Sequence, residues 1–241
     1  MASGFREWYF QLFNTRTRAA IDDDSGICNV LTENSPVEIS IYTSGNGQTA
    51  ASNPLAFTNG VINFWTADTV TALDLSVQTA TGHGFFLESV NESNHRIDVD
   101  PDRIHQELII PYTYAGASET IVDTGFDVLA TMIVTDIHLD VAAVMTGGVL
   151  DIGTSTDTDG FADGVAASVT GFPITLLEEA IVSTSALFGA LLAMATGTYV
   201  RKKYRQANAT SGANIVYTNT TISSTAGNGY IALTYRRTPT R

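Results

Sequence analysis

The stretch GTSTDTDGFADGV, residues 153–165, gathers Asp157, Asp159 and Asp163 around two glycines between two apolar segments. Carboxylates at this spacing suit a hard-cation loop, an acid/base cluster or a polar turn. With Gly160 at the sixth position of an EF-hand loop, the three aspartates fall at the third, fifth and ninth positions. Ser155 and Ala166 then occupy the first and twelfth, so both anchoring carboxylates of that loop are missing. The better reading is a polar loop joining VMTGGVLDIG to VAASVTGF, with Gly and Asp supplying the tight turns. A non-helical Ca²⁺ site built from the three aspartates is the alternative. Asp22, Asp23 and Asp24 in IDDDSG are read the same way.

Little else has the spacing of chemistry. Of the four histidines, His83 lies between two glycines in TGHG, and His138 falls on the polar side of an alternating run. Neither these nor His95 and His105 stand in a metal-binding spacing. No G-x-S-x-G elbow, phosphate loop or G-x-G-x-x-G fingerprint occurs. The reading therefore assigns no catalytic, cofactor-binding or metal residues and expects a protein that is not an enzyme. Its enzymatic rival is a hydrolase or lyase acting on surface polysaccharide, with carboxylates of the 157–163 stretch as the dense candidate.

The elements that would position any site read as strands. VEISIY (37–42) alternates Val37, Ile39 and Ile41 with polar partners, and LDLSV (73–77) does so with Leu73, Leu75 and Val77. DIHLDVAAV (136–144) sets Ile137, Leu139, Val141 and Ala143 against Asp136, His138 and Asp140, and YIALTY (230–235) repeats the style. Turn clusters SGNG, TNG, TGHG, TGG and AGNG separate these runs. The expected fold is all-β: two antiparallel β-sandwich or barrel domains, jelly-roll-like, with little helix. FREWYFQLF (5–13) fits either period, and its aromatic content favours a strand. ITLLEEAIV (174–182) could make two helical turns. ALFGALLAMATGTYV (186–200) is 15 residues long, short of the roughly 20 needed to cross a bilayer. It reads as a buried helix or a pair of core strands, although RKKYR follows it. The polar stretch HRIDVDPDRIHQE (95–107) marks a boundary between domains at residues 1–100 and 101–241.

Composition narrows the partners. The 241 residues are 44% hydrophobic and only 15% charged, with a formal net charge of −13. Such an acidic surface disfavours nucleic acid. Seven of the 12 Lys and Arg lie in the last 41 residues, read as solvated strand ends or as a basic patch for an acidic neighbour. Cys28 is the only cysteine, which excludes an intrachain disulfide. MASGFREWYF has neither the basic region nor the apolar core of a signal peptide, so a soluble protein without a membrane partner is expected. The aromatic Phe5, Trp8, Tyr9, Phe10 and Phe13 are read as core before interface.

Two stretches carry a resemblance. GGVLDIGTSTDTDGFADGVAASVTG resembles a hairpin followed by an Asp-rich D-x-D-G-F loop in tailed-bacteriophage virion proteins. NPLAFTNGVINFWTADTVTALDLSVQTATG is similar to small β-domains of phage fibres and decoration proteins. The resemblance, to capsid decoration (cement) or head-fibre proteins, implies a virion structural protein, most simply a decoration or cement protein on the capsid surface. Its implied partners are the major capsid protein or another virion protein and further copies of itself, with a trimer favoured. Neither stretch carries catalytic residues across. The binding alternative is a head or tail fibre or adaptor subunit that recognises a host-surface glycan. That role would need a cluster of exposed aromatics near polar loop residues, and Trp8, Trp65 and the Tyr residues are scattered in sequence.

Overall fold

A computed structural model describes residues 4–22, 24–91, 94–99, 105–114, 121–129, 131–146, 149–166, 173–175, 204–205, 213–219 and 226–237. The chain forms two compact units, Met1–Arg103 and Ile104–Arg241. Both are built from β-sheets, and among the described residues there is no helix.

The N-terminal unit contains β1 (Phe5–Asn14), β2 (Gly26–Thr32), β3 (Leu55–Phe57), β4 (Val61–Ala67), β5 (Leu73–Thr79), β6 (Gly84–Val90) and β7 (Asn94–Val99). They form one sheet of order β4-β1-β7 and another of order β3-β2-β5-β6. All pairs are antiparallel except β1 and β7, which run parallel. The aromatic N-terminal segment is β1, and its alternation divides its rings between two faces. Trp8, Phe10 and Leu12 are fully buried against Ile62, Phe64, Leu75 and Val77 of both sheets. Trp8 stacks on Phe10 with ring centroids 6.4 Å apart, and its Nε1–H donates to Thr66 Oγ1 at 2.9 Å.

Cys28 of β2 belongs to the same core, and burial pushes its thiol far up from the ordinary range. Only the thiolate is an effective nucleophile, so a buried neutral thiol should be inert. Ellman's reagent is expected to leave the native protein unlabelled and to label one thiol per chain after denaturation. Rapid labelling of the native protein would contradict the placement of β2.

Two expectations change here. VEISIY is not a ladder strand: it carries only isolated bridges at Glu38 and Tyr42, and Val37 is 43% exposed while Ile41 is buried. Asn53 supplies the reason. Its side chain accepts from Val30 N at 3.0 Å and donates to Val30 O at 2.7 Å and to Ile39 O at 3.1 Å. A side-chain amide thus stands where part of the backbone ladder would run. In β5, by contrast, both faces are buried, the polar Asp74, Ser76 and Gln78 included.

The C-terminal unit contains β8 (His105–Tyr114), β9 (Val122–Val128), β10 (Met132–Ala143), β11 (Val149–Thr154), β12 (Asp157–Ala166), β13 (Pro173–Thr175), β14 (Tyr204–Arg205), β15 (Ala213–Asn219) and β16 (Gly227–Arg237). One sheet has the order β13-β10-β16-β8, with β14 also on β10, and the other β12-β11-β15-β9. Successive strands change sheet, except at the β11–β12 hairpin and where β13 and β14 follow one another on β10. Counting β13 and β14 as one seat, this is the eight-strand jelly-roll connectivity. The described core combines Leu108, Ile110, Ile137, Leu139, Ile231 and Leu233 with Phe126, Ile152, Phe161 and Ile215.

β10 buries Met132 and Val134, then Ile137, Leu139 and Val141. A register shift between Val134 and Asp136 reconciles these opposite parities, because one extra residue turns the strand over. β13 and β14 share one edge of β10: Thr175 faces His138, and Tyr204 faces Val134. A continuous strand would seat the fourth residue after Thr175 opposite Val134, and Tyr204 has that seat. Of ITLLEEAIV, Ile174 and Thr175 are strand; its remainder and all of ALFGALLAMATGTYV lie outside the described residues.

Candidate binding face

The side chains of β1 that do not enter the core form the outward face of the β4-β1-β7 sheet. Phe5, Glu7, Tyr9, Gln11 and Phe13 alternate along β1, opposite Trp65, Asn63 and Val61 on β4. Arg96 and Asp98 lie opposite Gln11 and Phe13 on β7. Phe5, Tyr9, Phe13 and Trp65 are all half-buried, so each ring is supported yet reachable.

One end of the face is braced by the 43–50 segment. Tyr42 and Trp65 exchange backbone hydrogen bonds of 2.9 and 3.0 Å, and the Tyr42 ring meets Phe5 edge-on at 5.0 Å. Gly47 has φ +64°, and a Cβ there would overlap the Phe5 ring. Asn46 Oδ1 accepts from Ser44 Oγ at 2.6 Å and from Gln48 N at 3.1 Å, fixing this turn. Mid-face, Asn63 Nδ2 donates to Glu7 Oε1 at 3.2 Å, and Tyr9 Oη donates to Gln11 Oε1 at 3.4 Å.

At the far end the Arg96 guanidinium sits 4.1 Å from the Phe13 ring centroid, and its Nε meets Asp98 Oδ1 at 2.7 Å. Beyond β1 the chain turns through residues 15–18. Asn14 Oδ1 accepts from Arg16 N and Thr17 N, and Asn14 O accepts from Arg18 N at 2.8 Å. A cleft of about 480 Å³ opens there, lined by Thr15, Arg18, Arg96 and Asp98. Aromatic faces beside amides, a carboxylate and guanidinium groups suit stacking with directed hydrogen bonds, which is binding chemistry.

The acidic stretch takes a different form from the polar loop expected of it. β11 and β12 form a hairpin whose two-residue turn is Ser155–Thr156, so Asp157, Asp159 and Asp163 all lie within strand β12. Opposite Gly153 the ladder is displaced by residues 158–161, and opposite Asp151 a bulge holds Asp163 and Gly164. Gly164 has φ +68°, and its N–H donates at 2.7 Å to buried Asp151 Oδ1. Asp157 and Asp159 are hydrogen-bonded to each other, whereas Asp163 belongs to the bulge. Among the described residues no three His, Cys, Asp or Glu are grouped closely enough to hold a metal ion. Asp24 is buried, accepting from Ser25 N at 3.0 Å and from the Thr81 hydroxyl at 2.8 Å, while Asp22 is exposed. The histidines lie apart in sequence, His83 in the β5–β6 turn, His95 on β7, His105 on β8 and His138 on β10.

The Asp157–Asp159 pair has a consequence for pH. Burial first, then the Asp159 hydrogen bond and charge, raises the Asp157 carboxyl above its ordinary value. Burial and the charge of Asp123 do the same to Asp127. An acid weakened in the folded state costs stability once it ionises, and that cost disappears as pH falls through the raised folded value. The thermal midpoint of the C-terminal unit is therefore expected to rise as pH falls from 7 through the raised values toward the ordinary carboxylate value near 3.9. Asp157→Asn should raise the midpoint at pH 7 and flatten the rise. Melting curves across that window check both.

Fold and face together describe a two-unit β-sandwich protein with an aromatic and polar sheet surface. No family model, curated protein or solved structure matches the chain. Sequence reasoning placed the aromatic residues of 5–13 in one strand and read them as core. It missed that Phe5, Tyr9 and Phe13 turn away from that core. The signal was the strict alternation itself, which sends every second ring outward whichever face is buried.

Proposed function

We propose that this chain is a non-enzymatic structural protein of a phage virion, seated on the capsid surface as a decoration or cement subunit. The observation that carries the reading is the strand order of the C-terminal unit, because jelly rolls are used by viral capsid domains. Low charge with abundant small polar residues also suits surfaces repeatedly buried between subunits. The partner is the major capsid protein or another virion protein, and the working form is a homo-oligomer, with a trimer favoured. The purified protein is to be mixed with expanded, undecorated capsids and sedimented. Saturable binding at a fixed copy number, with a higher capsid melting temperature, supports the reading. Absence of cosedimentation overturns it.

One observation favours a second reading. The outward face of β4-β1-β7 gathers the half-buried rings of Phe5, Tyr9, Phe13 and Trp65 beside Glu7, Asn63 and Arg96, a combination that suits a glycan-recognising fibre or adaptor subunit. Adsorption of the oligomer to host cells, abolished by a Tyr9→Ala and Trp65→Ala double substitution, would select this role over cementing.

A further inference from the structure

We infer that the cleft lined by Thr15, Arg18, Arg96 and Asp98 binds a carboxylate-bearing sugar. The inference rests on the glycan reading of the same face and names the chemical class of the ligand.

Charge comes first. Arg96 is paired with Asp98 at 2.7 Å, whereas among the described residues Arg18 has no ion pair. Among the described residues the lining thus holds two guanidinium groups and one carboxylate, in a chain whose net charge is −13. The volume of about 480 Å³ lies in the range of small-ligand sites.

Backbone geometry then singles out Arg18. It occupies φ 56°, the left-handed region where a side chain other than Asn or Asp is uncommon. Glycine or asparagine would close this turn with less steric cost, so the arginine is poorly explained by the turn itself. Its side chain is exposed at the cleft, where a guanidinium can meet a carboxylate through two parallel hydrogen bonds. Arg96 is held in a fixed plane by the Phe13 ring on one side and by Asp98 at Nε. That contact uses one of its five N–H donors and leaves the terminal nitrogens for ligand oxygens. The exposed Thr15 hydroxyl adds one donor and two acceptor positions.

A sugar fits this face better than an acidic peptide. The backbone groups of β1 are already paired with β4 and β7, so an extended peptide lying across the face finds no ladder to join. What the face offers instead is the half-buried ring of Tyr9 and the guanidinium plane of Arg96 over Phe13, with the side chains of Gln11, Glu7 and Asn63 between and beside them. Ring faces and side-chain hydrogen bonds match the C–H surfaces and hydroxyls of a pyranose.

Calorimetric titration of the full chain with digalacturonate, lactose and triglutamate tests the inference. Digalacturonate should bind most tightly, with affinity falling as salt rises. Arg18→Gly suits the left-handed turn, so its melting temperature should be unchanged or higher, while its affinity for digalacturonate falls about tenfold. Arg18→Lys should fall in between, because the charge remains and the fork is lost. Unchanged affinity in Arg18→Gly overturns the inference, as does triglutamate binding as tightly as the acidic sugar. Lactose binding equal to that of digalacturonate would overturn the acidic assignment and leave the glycan reading standing. Binding of neither sugar would remove both.

Discussion

Asp74→Ala is expected to destabilise the N-terminal unit by about 3 kcal/mol, from the loss of two charge-assisted hydrogen bonds worth roughly 1.5–3 kcal/mol each before partial rehydration. Asp74 is only 1% exposed, although it sits in the middle of a polar-looking alternation. Its Oδ2 accepts from Asn34 N at 2.8 Å and its Oδ1 from Ser89 N at 2.7 Å. Both donors belong to residues in the left-handed region, with φ of 55° and 50°. One carboxylate therefore holds the turn at Asn34 and the β6 irregularity at Ser89, the latter in a conformation that a serine side chain disfavours. Asp74→Asn keeps one acceptor and turns an amide N–H₂ toward the other donor, so it should recover less than half of the loss. The readout is selective, because Trp8 and Trp65 are the only tryptophans and both lie in this unit. Urea titration followed by tryptophan fluorescence should show the lower midpoint. An unchanged midpoint would mean that Asp74 does not pin these two sites.

The second large effect belongs to the other unit. Gly153→Ala is expected to cost at least about 3 kcal/mol, the upper range for overpacking against groups that cannot move aside. A Cβ at Gly153 would overlap Asp157 O and lie 2.6 Å from Thr158 C and 2.8 Å from Gly160 N. All three are backbone atoms of β12, where residues 158–161 crowd opposite a single residue of β11. Relief requires opening the β11–β12 pair or displacing β11 from β15, which holds Gly153 in register with Val216. Far-ultraviolet circular dichroism should show a transition at lower temperature, with the tryptophan transition unchanged. A variant melting as wild type would show that β12 does not close over Gly153.

These two positions show what the sequence made legible. Period-2 alternation located β5, β10 and β16, because a sheet with one buried face writes its geometry directly into residue order, while aromatic content located β1. Leu73, Leu75 and Val77 were read as one buried face, and they are buried. Burial of the opposite face of β5 left no trace, since Asp74, Ser76 and Gln78 carry the polarity of a solvated side. The burial of Asp74 depends on hydrogen bonds from Asn34 and Ser89, which its own neighbourhood in sequence does not announce. VEISIY alternates as well as any true strand, yet the Asn53 amide, well outside that run, interrupts its ladder. DTDGFADG looks like a loop because Gly and Asp commonly turn chains, but here they mark irregularities inside a strand, which local propensity does not distinguish from turns. The outward rings of β1 were present in the alternation. Their meeting with Trp65, Tyr42 and Arg96 was not, because it arises from pairing between segments about 30 to 90 residues apart.

The shared edge of β10 has a consequence for how this protein can vary. Its two seats are filled by short strands that are not contiguous in the chain, β13 opposite residues 138–140 and β14 opposite residues 133–134. The number of residues between the two strands is not fixed by either register, and lengthening a connection costs only slowly growing closure entropy. A peptide inserted between residues 175 and 204 is therefore expected to leave both registers on β10, and the jelly-roll strand order, in place.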